Sequence, residues 1–308
     1  MKKLTFAVAV MTAVVLLPYV SNAMYLQRIG SFSREVKLGD QKSLKVKLVL
    51  EGGKVWLTKA AFEVFFSVGV KYNREEMRPV YEYNEDEKES SLYFRIVSKD
   101  DEDDDYDGFD PDIEFENTDY ILGMSSRKKT SWDLKFTDKV PISFDITAGA
   151  TKSNLDLSGM MISNLDIETG ASRTFVNFDE PNPIRMDEFN LTLGIAKFKG
   201  SHLLNANFDE MNVESGIGKI TLDLTGELDH RAYVNIELGL SSTTIILPLN
   251  VGVKIYTDLS PFTSFDADDL IEVDDDEYES ENWGDTEGEL IIDIEAAIGF
   301  VDLVFEDR

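Results

Sequence analysis

The 308-residue sequence contains no cysteine and only two histidines, His202 and His230. Disulfides, thiolate metal sites and cysteine-histidine nucleophile pairs are therefore excluded, and two isolated histidines do not supply a histidine-rich zinc centre. We interpret both histidines as structural residues. Without covalent cross-links, the fold must be stabilised by packed apolar side chains.

The chain is also poor in positive charge, with 30 lysines and arginines against 59 aspartates and glutamates and a formal net charge of −29. Nucleic acids and anionic lipid surfaces attract proteins through lysine and arginine contacts to phosphate. The composition therefore argues against nucleic acid and anionic lipid as partners. Cations or basic surfaces are the electrostatically suitable partners.

A long apolar run occurs at the N-terminus, where residues 4–20 follow Lys2 and Lys3 and precede the small residues of 21–23. This order is typical of a secretory signal peptide, and a membrane anchor is the alternative. We predict that residues 1–23 are removed and that no transmembrane segment remains after cleavage. The protein would then be exported to the periplasm, the medium or the cell surface of a bacterium.

From residue 144 to residue 305 the chain lacks helix-period segments and instead repeats one pattern. Apolar residues recur five and three places before a set of reference positions, which lie 19 to 24 residues apart with a final gap of 41. The reference positions are Gly149, Gly170, Gly194, Gly216, Gly239, Asp258 and Gly299. A second apolar pair follows six and eight places after four of them. Fixed periods of 20 to 50 residues indicate stacked repeats.

Apolar residues two apart indicate a strand with one buried face, and the two pairs of each repeat differ in parity. The chain must therefore turn a corner between them, and glycine suits a corner that needs positive φ or a close backbone approach. We predict an all-β fold, a single-stranded parallel β-solenoid of seven or more coils. An antiparallel sandwich is the alternative.

The domain organisation follows from this pattern. Residues 24–140 are a less regular N-terminal β region that continues or caps the solenoid and carries an acidic insertion at 99–119. Residues 141–308 are the solenoid, with an acidic loop at 266–289. Asp258 replaces a corner glycine, and the pair Gly200 and His202 breaks one coil. The last coil, at 300–305, needs a cap, which a second copy of the chain supplies if the protein is a homo-oligomer through its solenoid end.

One polar residue lies between the inward residues of each coil, four places before the reference position. These residues are Asp145, Asp166, Asn190, Asn212 and Asn235. Stacked coils place such side chains about 4.8 Å apart. We predict a ladder of amides that stabilises the stack, and binding of a cation or sugar is the alternative role.

The order of these segments resembles the toast-rack domain family. The resemblance rests on Trp132-Asp133-Leu134, on Val140-Pro141, on residues 147–150, 155–159 and 165–171, and on Ala297-Ile298-Gly299, while the segment from Leu44 to Leu57 is similar to the N-terminal toast-rack half. The family includes LiaF-like cell-wall-stress proteins and exported proteins labelled as adhesins. The resemblance implies a β-solenoid at the bacterial envelope, commonly without known enzymatic activity. Since the chain has no transmembrane helix after its signal, the membrane-signalling role of LiaF-like proteins does not carry over.

The acidic insertion contains a calcium-loop pattern, D-x-D-x-D-G-x₅-E. Its oxygen ligands would be Asp103, Asp105, Asp107, the carbonyl of Phe109 and a bidentate Glu114. Asp110 occupies a place that is usually apolar, and no helices flank the loop. A solvated acidic loop is therefore the competing interpretation. Calcium is the only cofactor that the sequence suggests.

These observations predict a non-enzymatic binding or scaffold protein of the bacterial envelope, adhesin-like or related to envelope stress, whose partner is an envelope protein or a glycan. The alternative is a glycan-active lyase or hydrolase on the same solenoid. A lateral groove in which two carboxylates converge with arginine or lysine would favour the enzyme. Exposed polar ladders would favour the binding protein.

Overall fold

The computed structural model describes residues 29–100 and 130–305, which form sixteen strands in one sheet. The predicted signal peptide (residues 1–23), most of the acidic insertion and the whole calcium-loop pattern lie outside the described residues. The strands are β1 (Ile29–Lys37), β2 (Leu44–Lys59), β3 (Val64–Asn73), β4 (Met77–Asn84), β5 (Ser90–Ser98), β6 (Ser131–Phe136), β7 (Ile142–Asp156), β8 (Ile162–Asn177), β9 (Met186–Ser201), β10 (Phe208–Asp223), β11 (Arg231–Leu247), β12 (Gly252–Leu259), β13 (Thr263–Asp266), β14 (Ile271–Asp274), β15 (Glu277–Glu279) and β16 (Glu289–Phe305).

The long strands stack in parallel and in register, which confirms the predicted β-solenoid. In space they follow the order β2, β7, β8, β9, β10, β11, β16 and β12. At the N-terminal end β2 is flanked by β5 and β6, and antiparallel strands β3, β1 and β4 complete the sheet. A short 3-10 helix, Leu203–Ala206, connects β9 to β10. Within the described ranges no helix is long and apolar enough to cross a bilayer.

Each long strand bends at the predicted corner and so forms two arms of one coil. In β8 the first arm buries Leu165, Ile167 and Thr169, whereas the second arm buries Thr174 and Val176. The change of parity across the corner lets both arms point their apolar side chains inward. The inward residues of all coils then form one continuous core, which no single coil buries alone.

The corner glycines are required by close backbone approach. A Cβ added to Gly194 or Gly216 would lie 2.9 Å from the carbonyl oxygen of the corner glycine in the preceding coil, and at Gly239 this distance is 2.4 Å. Gly149 meets the carbonyl of Glu51 in the same way at 2.6 Å. None of these glycines has a positive φ. Of the two reasons expected for a corner glycine, close approach is the one that applies.

The last two coils do not stack in sequence order. Strand β16 pairs in parallel with β11 on one side and with β12 on the other, so the C-terminal strand is inserted between two coils that precede it. The expectation that residues 300–305 form the outermost coil is therefore wrong. The insertion is possible because the chain between β12 and β16 is long enough to cross the width of one strand and return.

Both reference positions assigned to these coils lie two residues away from the corner. Gly299 pairs with Ser241, which is already past the corner of its own strand, so Ala297 takes the corner position in β16. Since Asp258 pairs with Glu295, Ser260 takes the corner after β12. An even shift leaves the same side of the strand facing the core, which is why the apolar pattern matched in the wrong register.

The coil expected to be broken at Gly200 and His202 is continuous. Strand β9 runs through Gly200, and a Cβ there would lie 2.6 Å from the Leu203 side chain. Leu203 and Leu204 of the 3-10 helix are fully buried and occupy the space that the missing apolar pair would have filled. His202 begins this turn with φ 52°.

The acidic loop at 266–289 contains a hairpin that extends the sheet. Strand β15 pairs antiparallel with β12, and β14 pairs with β15. The Lys254 ammonium lies 3.0 Å from Glu279 and also contacts Glu277, and hydrogen bonds to these carboxylates raise the pKa of Lys254. The hairpin covers the first arm of the terminal coil. Its acidic residues disfavour pairing of the outer edge with another chain.

Candidate binding groove at the glycine corner

A lateral groove of about 690 Å³ runs along the corner of the solenoid across β9, β10, β11, β16 and β12. Its floor is backbone, because the corner residues Gly194, Gly216 and Gly239 carry no side chain. The residues two places before and one place after the corner project outward on either side. The first set lines one side of the groove, and the second set follows the corner residues along each strand and lies next to the groove, outside its lining.

One wall is a column of carboxylates, hereafter the acidic column, formed by Glu214, Glu237, Glu295 and Asp258. Sheet register places them on four consecutive strands, so neighbouring backbone positions lie about 4.8 Å apart. All four side chains are exposed. The column concentrates negative charge along one side of the groove.

Beside the groove, one place after the corner, lies a column of large aliphatic side chains, hereafter the aliphatic column, formed by Ile195, Ile217, Leu240 and Ile298. They also lie on four consecutive strands, and their exposed fractions are 65%, 50%, 53% and 48%. Isolated exposed apolar residues are ordinary, but a continuous row next to a cleft is typical of an interaction surface. The equivalent residues on β7 and β8 are Ala150 and Ala171, so the column begins at β9.

The lining of the groove bears on the choice between a binding protein and a glycan-active enzyme. No lysine or arginine lines the groove, so the feature that would have favoured a glycan lyase is missing there. A glycoside hydrolase needs two carboxyl groups in different environments, one of them with a raised pKa. The four carboxylates occupy equivalent exposed positions, and nothing around them divides an acid from a nucleophile. Among the described residues no group of three or more His, Cys, Asp or Glu side chains is arranged to hold a metal ion.

The predicted amide ladder is present on the first arm. Asn235 donates its side-chain N–H to Asn212 Oδ1 at 2.8 Å, and Asn212 donates to Asn190 Oδ1 at 3.0 Å. The column continues through Asp166 to Asp145. These bonds run along the axis from coil to coil, as expected for a stabilising ladder.

The negative charge at the carboxylate end of the ladder is partly compensated by a lysine. Lys47 on β2 lies 3.3 Å from Asp145. Partial burial raises the pKa of Asp166, the negative charge of Asp145 adds to the increase, and a hydrogen bond with Asn190 opposes it. The ionised form of Asp166 is therefore disfavoured in the folded protein.

The other residues singled out from the sequence are placed as follows. His230 Nε2 donates to the carbonyl of Phe208 at 2.9 Å, and Nδ1 lies 3.2 Å from Asp229. His202 Nδ1 lies 3.2 Å from Asp179. His230 is thus partnered within its loop, in keeping with a structural role, whereas His202 Nδ1 lies close to Asp179 but makes no hydrogen bond with any described residue. The calcium ligands predicted at 103–114 lie outside the described residues and remain a prediction.

The groove was not identified from the sequence, although the signal was present. Once the corner positions are aligned, the residue one place after the corner is Ile195, Ile217 or Leu240 in three successive coils. An outward position occupied by large aliphatic residues in successive repeats indicates an exposed apolar column. Its extension to Ile298 depends on the inserted strand, which the sequence did not reveal.

The chain is similar to proteins of known structure and matches a family model. Over 90% of its length the chain is similar to a protein described as a "putative cell adhesion protein" from Clostridium sporogenes, with 15% identity, full coverage of that chain and a TM-score of 0.47. It is also similar to a "putative adhesin" from Parabacteroides merdae, with 9% identity, 90% and 96% coverage and a TM-score of 0.33. No curated protein matches the chain. The family model for the N-terminal domain of toast_rack, DUF2154, matches residues 27–199. Since this match covers more than half of the chain, the protein belongs to the toast-rack family.

Proposed function

We propose that the protein is an exported, non-enzymatic binding or scaffold module of the bacterial envelope, adhesin-like in role, and that the corner groove is its binding surface. The observation that carries the proposal is the acidic column inside a groove with a backbone floor, together with the exposed aliphatic column that follows the corner residues directly beside it. An exposed apolar row and a charged row at constant spacing suit an elongated partner. A compact small molecule would contact only one or two coils.

The partner class follows from the chemistry of the two columns. An extended peptide directs alternate side chains to opposite sides. A segment that alternates basic and apolar residues therefore presents its ammonium groups to Glu237 and its neighbours and its apolar groups to Leu240 and its neighbours. The net charge of −29 also attracts a basic partner at long range. We infer that the groove binds an extended, basic segment of an envelope protein.

The test is fluorescence anisotropy with three labelled ten-residue peptides. One alternates lysine with valine, the second alternates glutamate with valine, and the third has the lysines and valines in separate blocks. We expect the alternating lysine peptide to bind best and to weaken as salt is added. Glu237→Gln and Leu240→Ser should each reduce its affinity by roughly tenfold, or about 1.4 kcal/mol.

The matched control is Asp187→Asn, which removes one exposed carboxylate outside the groove. This variant should bind like the wild type. Equal affinity for all three peptides, or an equal loss in Asp187→Asn and Glu237→Gln, would show that only net charge is being measured and would refute the groove as the site.

The enzymatic alternative requires its own experiment. Envelope glycans incubated with the protein should show neither new reducing ends nor unsaturated products. Turnover that disappears in Glu237→Gln would instead assign glycan cleavage to the acidic column.

Export is tested by fractionation and mass measurement of the natural protein. We expect loss of residues 1–23 and recovery from the envelope or the medium. A photo-crosslinker at Ile217 should then capture an envelope protein that a crosslinker at Asp187 does not. Recovery of the protein from the cytoplasm with residues 1–23 still attached would contradict the proposal.

A further inference from the structure

A second column of charged side chains, opposite in sign to the first, follows the second arms of the N-terminal coils. It lies three places after the corner and continues through Ser131 of β6 onto β3. Its members, hereafter the basic column, are Lys71, Lys54, Lys152, Arg173, Lys197 and Lys219. All six side chains are exposed. They span six strand intervals of about 4.8 Å each, or about 29 Å.

These cations are not used to stabilise the fold. Like charges on neighbouring strands repel each other. Over 29–100 and 130–305 no ion pair involves any of the six, although acidic residues outnumber basic ones almost two to one. Lysines elsewhere do find partners: Lys59 lies 3.0 Å from Glu180, and Lys135 lies 3.4 Å from Asp133. A row of unpaired cations in such an acidic chain indicates a binding surface for an anion.

Aromatic rings accompany the basic column. Trp56 lies two residues after Lys54 on β2, and Phe175 lies two residues after Arg173 on β8, so each ring is on the same outer face as its cation. Trp56 is 42% exposed, and the Lys199 ammonium lies 5.9 Å from the centre of the Phe175 ring. Trp56 also borders a depression of about 450 Å³ that Lys71 helps to line. Charge and flat apolar rings therefore lie side by side at two of the strands that the column crosses, β2 and β8.

The combination selects one class of ligand. Aromatic faces stack against the rings of sugars, and a regular row of ammonium groups matches a polymer with regularly repeated negative charge. A polyol phosphate has no rings in its backbone to stack. Nucleic acid and a carboxylated glycan both carry a regularly repeated negative charge and are both repelled by the net charge of −29, so the experiment below compares the two directly. We propose that the basic column binds a linear carboxylated glycan, with uronate-type sugars, along the axis of the solenoid.

This site is independent of the groove proposed above. The basic column extends from β3 to β10, whereas the acidic column begins on β10 and extends to β12. The groove can fail its peptide test while the basic column binds glycan, and the converse also holds.

The experiment measures binding of the natural full-length protein to defined oligosaccharides by isothermal titration calorimetry. The probes are a galacturonate decamer, an uncharged galactose oligomer of equal length, a polyphosphate of similar charge and single-stranded oligothymidylate. We expect binding of the galacturonate decamer that weakens steeply with added salt. Affinity for each of the other three should be at least tenfold lower.

The variants locate the site. Arg173→Gln combined with Lys197→Gln should lower affinity for the decamer at least tenfold, and Trp56→Ala should lower it several-fold. The control is Lys59→Gln combined with Lys135→Gln, which removes two charges outside the column and should change affinity less than twofold. The column variants should melt at or above the wild-type temperature because repulsion is relieved, so a loss of binding is not a loss of folding.

Three outcomes would overturn the proposal. The first is equal binding of the uncharged oligomer. The second is binding of polyphosphate or oligothymidylate as tight as that of the decamer, with no effect of Trp56→Ala. The third is an equal loss of affinity in the column variant and the control.

Discussion

The corner glycines allow a graded test of how closely the coils are packed. A Cβ at Gly239 would lie 2.4 Å from the Gly216 carbonyl oxygen, whereas at Gly170 the corresponding distance to the Gly149 carbonyl oxygen is 3.3 Å. Backbone atoms of a paired strand cannot rotate away as a flexible side chain does. We therefore expect Gly239→Ala to force the two strands apart and Gly170→Ala to be tolerated with a small shift.

The expected magnitude follows from two opposing effects. Overpacking in a well-packed structure costs about 1–3 kcal/mol, and the backbone contact at Gly239 belongs at the upper end. Alanine also restricts the unfolded chain, which stabilises by about 0.4–1 kcal/mol. The net loss for Gly239→Ala is then about 2 kcal/mol, or a fall in Tm of about 4–8 °C at about 2–4 °C per kcal/mol. Gly170→Ala should lie within about 0.5 kcal/mol of the wild type.

The matched control is Gly69→Ala, which lies in strand β3 with no positive φ. Its nearest contact would be an ordinary 3.5 Å to the Asp133 carbonyl oxygen. It should be neutral or stabilised by up to about 1 kcal/mol. Thermal melts followed by circular dichroism, together with urea midpoints, give the order of stability of the three variants. If Gly239→Ala is no less stable than Gly69→Ala, or if Gly170→Ala is the most damaging, close approach does not explain the corner.

Three further predictions address the polar ladder, the connection between β8 and β9 that contains Asn182, and the acidic insertion. Because burial and Asp145 raise the pKa of Asp166, its ionised form destabilises the fold above that pKa, and the penalty disappears as pH falls toward the unfolded value of 3.8. Since the Asp166 side chain is still exposed to solvent, which screens its interaction with Asp145, Asp166→Asn should stabilise the protein by only about 0.2–0.5 kcal/mol at pH 7, and the urea midpoints of the two proteins measured from pH 7 to pH 4 should converge; a constant difference would contradict this assignment. The side-chain amide of buried Asn182 donates to the carbonyls of Ile162 and Ala206 at 2.7 and 3.0 Å. Asn182→Ala removes both donors and should lower the free energy of unfolding in urea by about 2–4 kcal/mol. The exposed control Asp187→Asn should leave the free energy of unfolding unchanged. If residues 103–114 bind calcium, millimolar calcium should raise the Tm relative to chelator in the wild type and not in Asp105→Asn, and an unchanged wild-type melting curve would discard the site.

The repeat could be predicted from the sequence because a parallel, in-register stack gives equivalent residues the same environment. Glycine at the corner, apolar residues before it and asparagine on the outer face of the first arm recur for that reason. The corner glycines from Gly149 to Gly239 and the ladder asparagines from Asn190 to Asn235 could therefore be identified without a structure. The polar ladder was predictable in the same way, since its members share one column.

The spatial order of the last coils could not be predicted. Each coil has the same two-residue alternation, so the local pattern around β12 or β16 is compatible with any place in the stack. It is also compatible with an even shift of register, which is how Asp258 and Gly299 were assigned to the corner. Only long-range pairing selects the inserted position, and sequence periodicity carries no signal for that choice.

Compensation by neighbouring loops also escaped the sequence pattern. Gly200 departs from the apolar pair expected at its position, yet the coil is intact because Leu203 fills the space from the following turn. A core requires the correct volume at a point in space, and the residue that supplies it need not come from the expected repeat position. Departures from a repeat are therefore weak evidence of a broken coil.

The inserted strand accounts for the continuity of the aliphatic column. If the coils stacked in sequence order, the coil of β12 would follow β11, and Pro261 would lie beside Leu240 at the position one place after the corner. Insertion of β16 places Ile298 beside Leu240 instead, which extends the aliphatic column by one strand. It also places Glu295 between Glu237 and Asp258, but the acidic column would contain the same four consecutive carboxylates in either order. The departure from sequence order thus lengthens the aliphatic column and leaves the length of the acidic column unchanged.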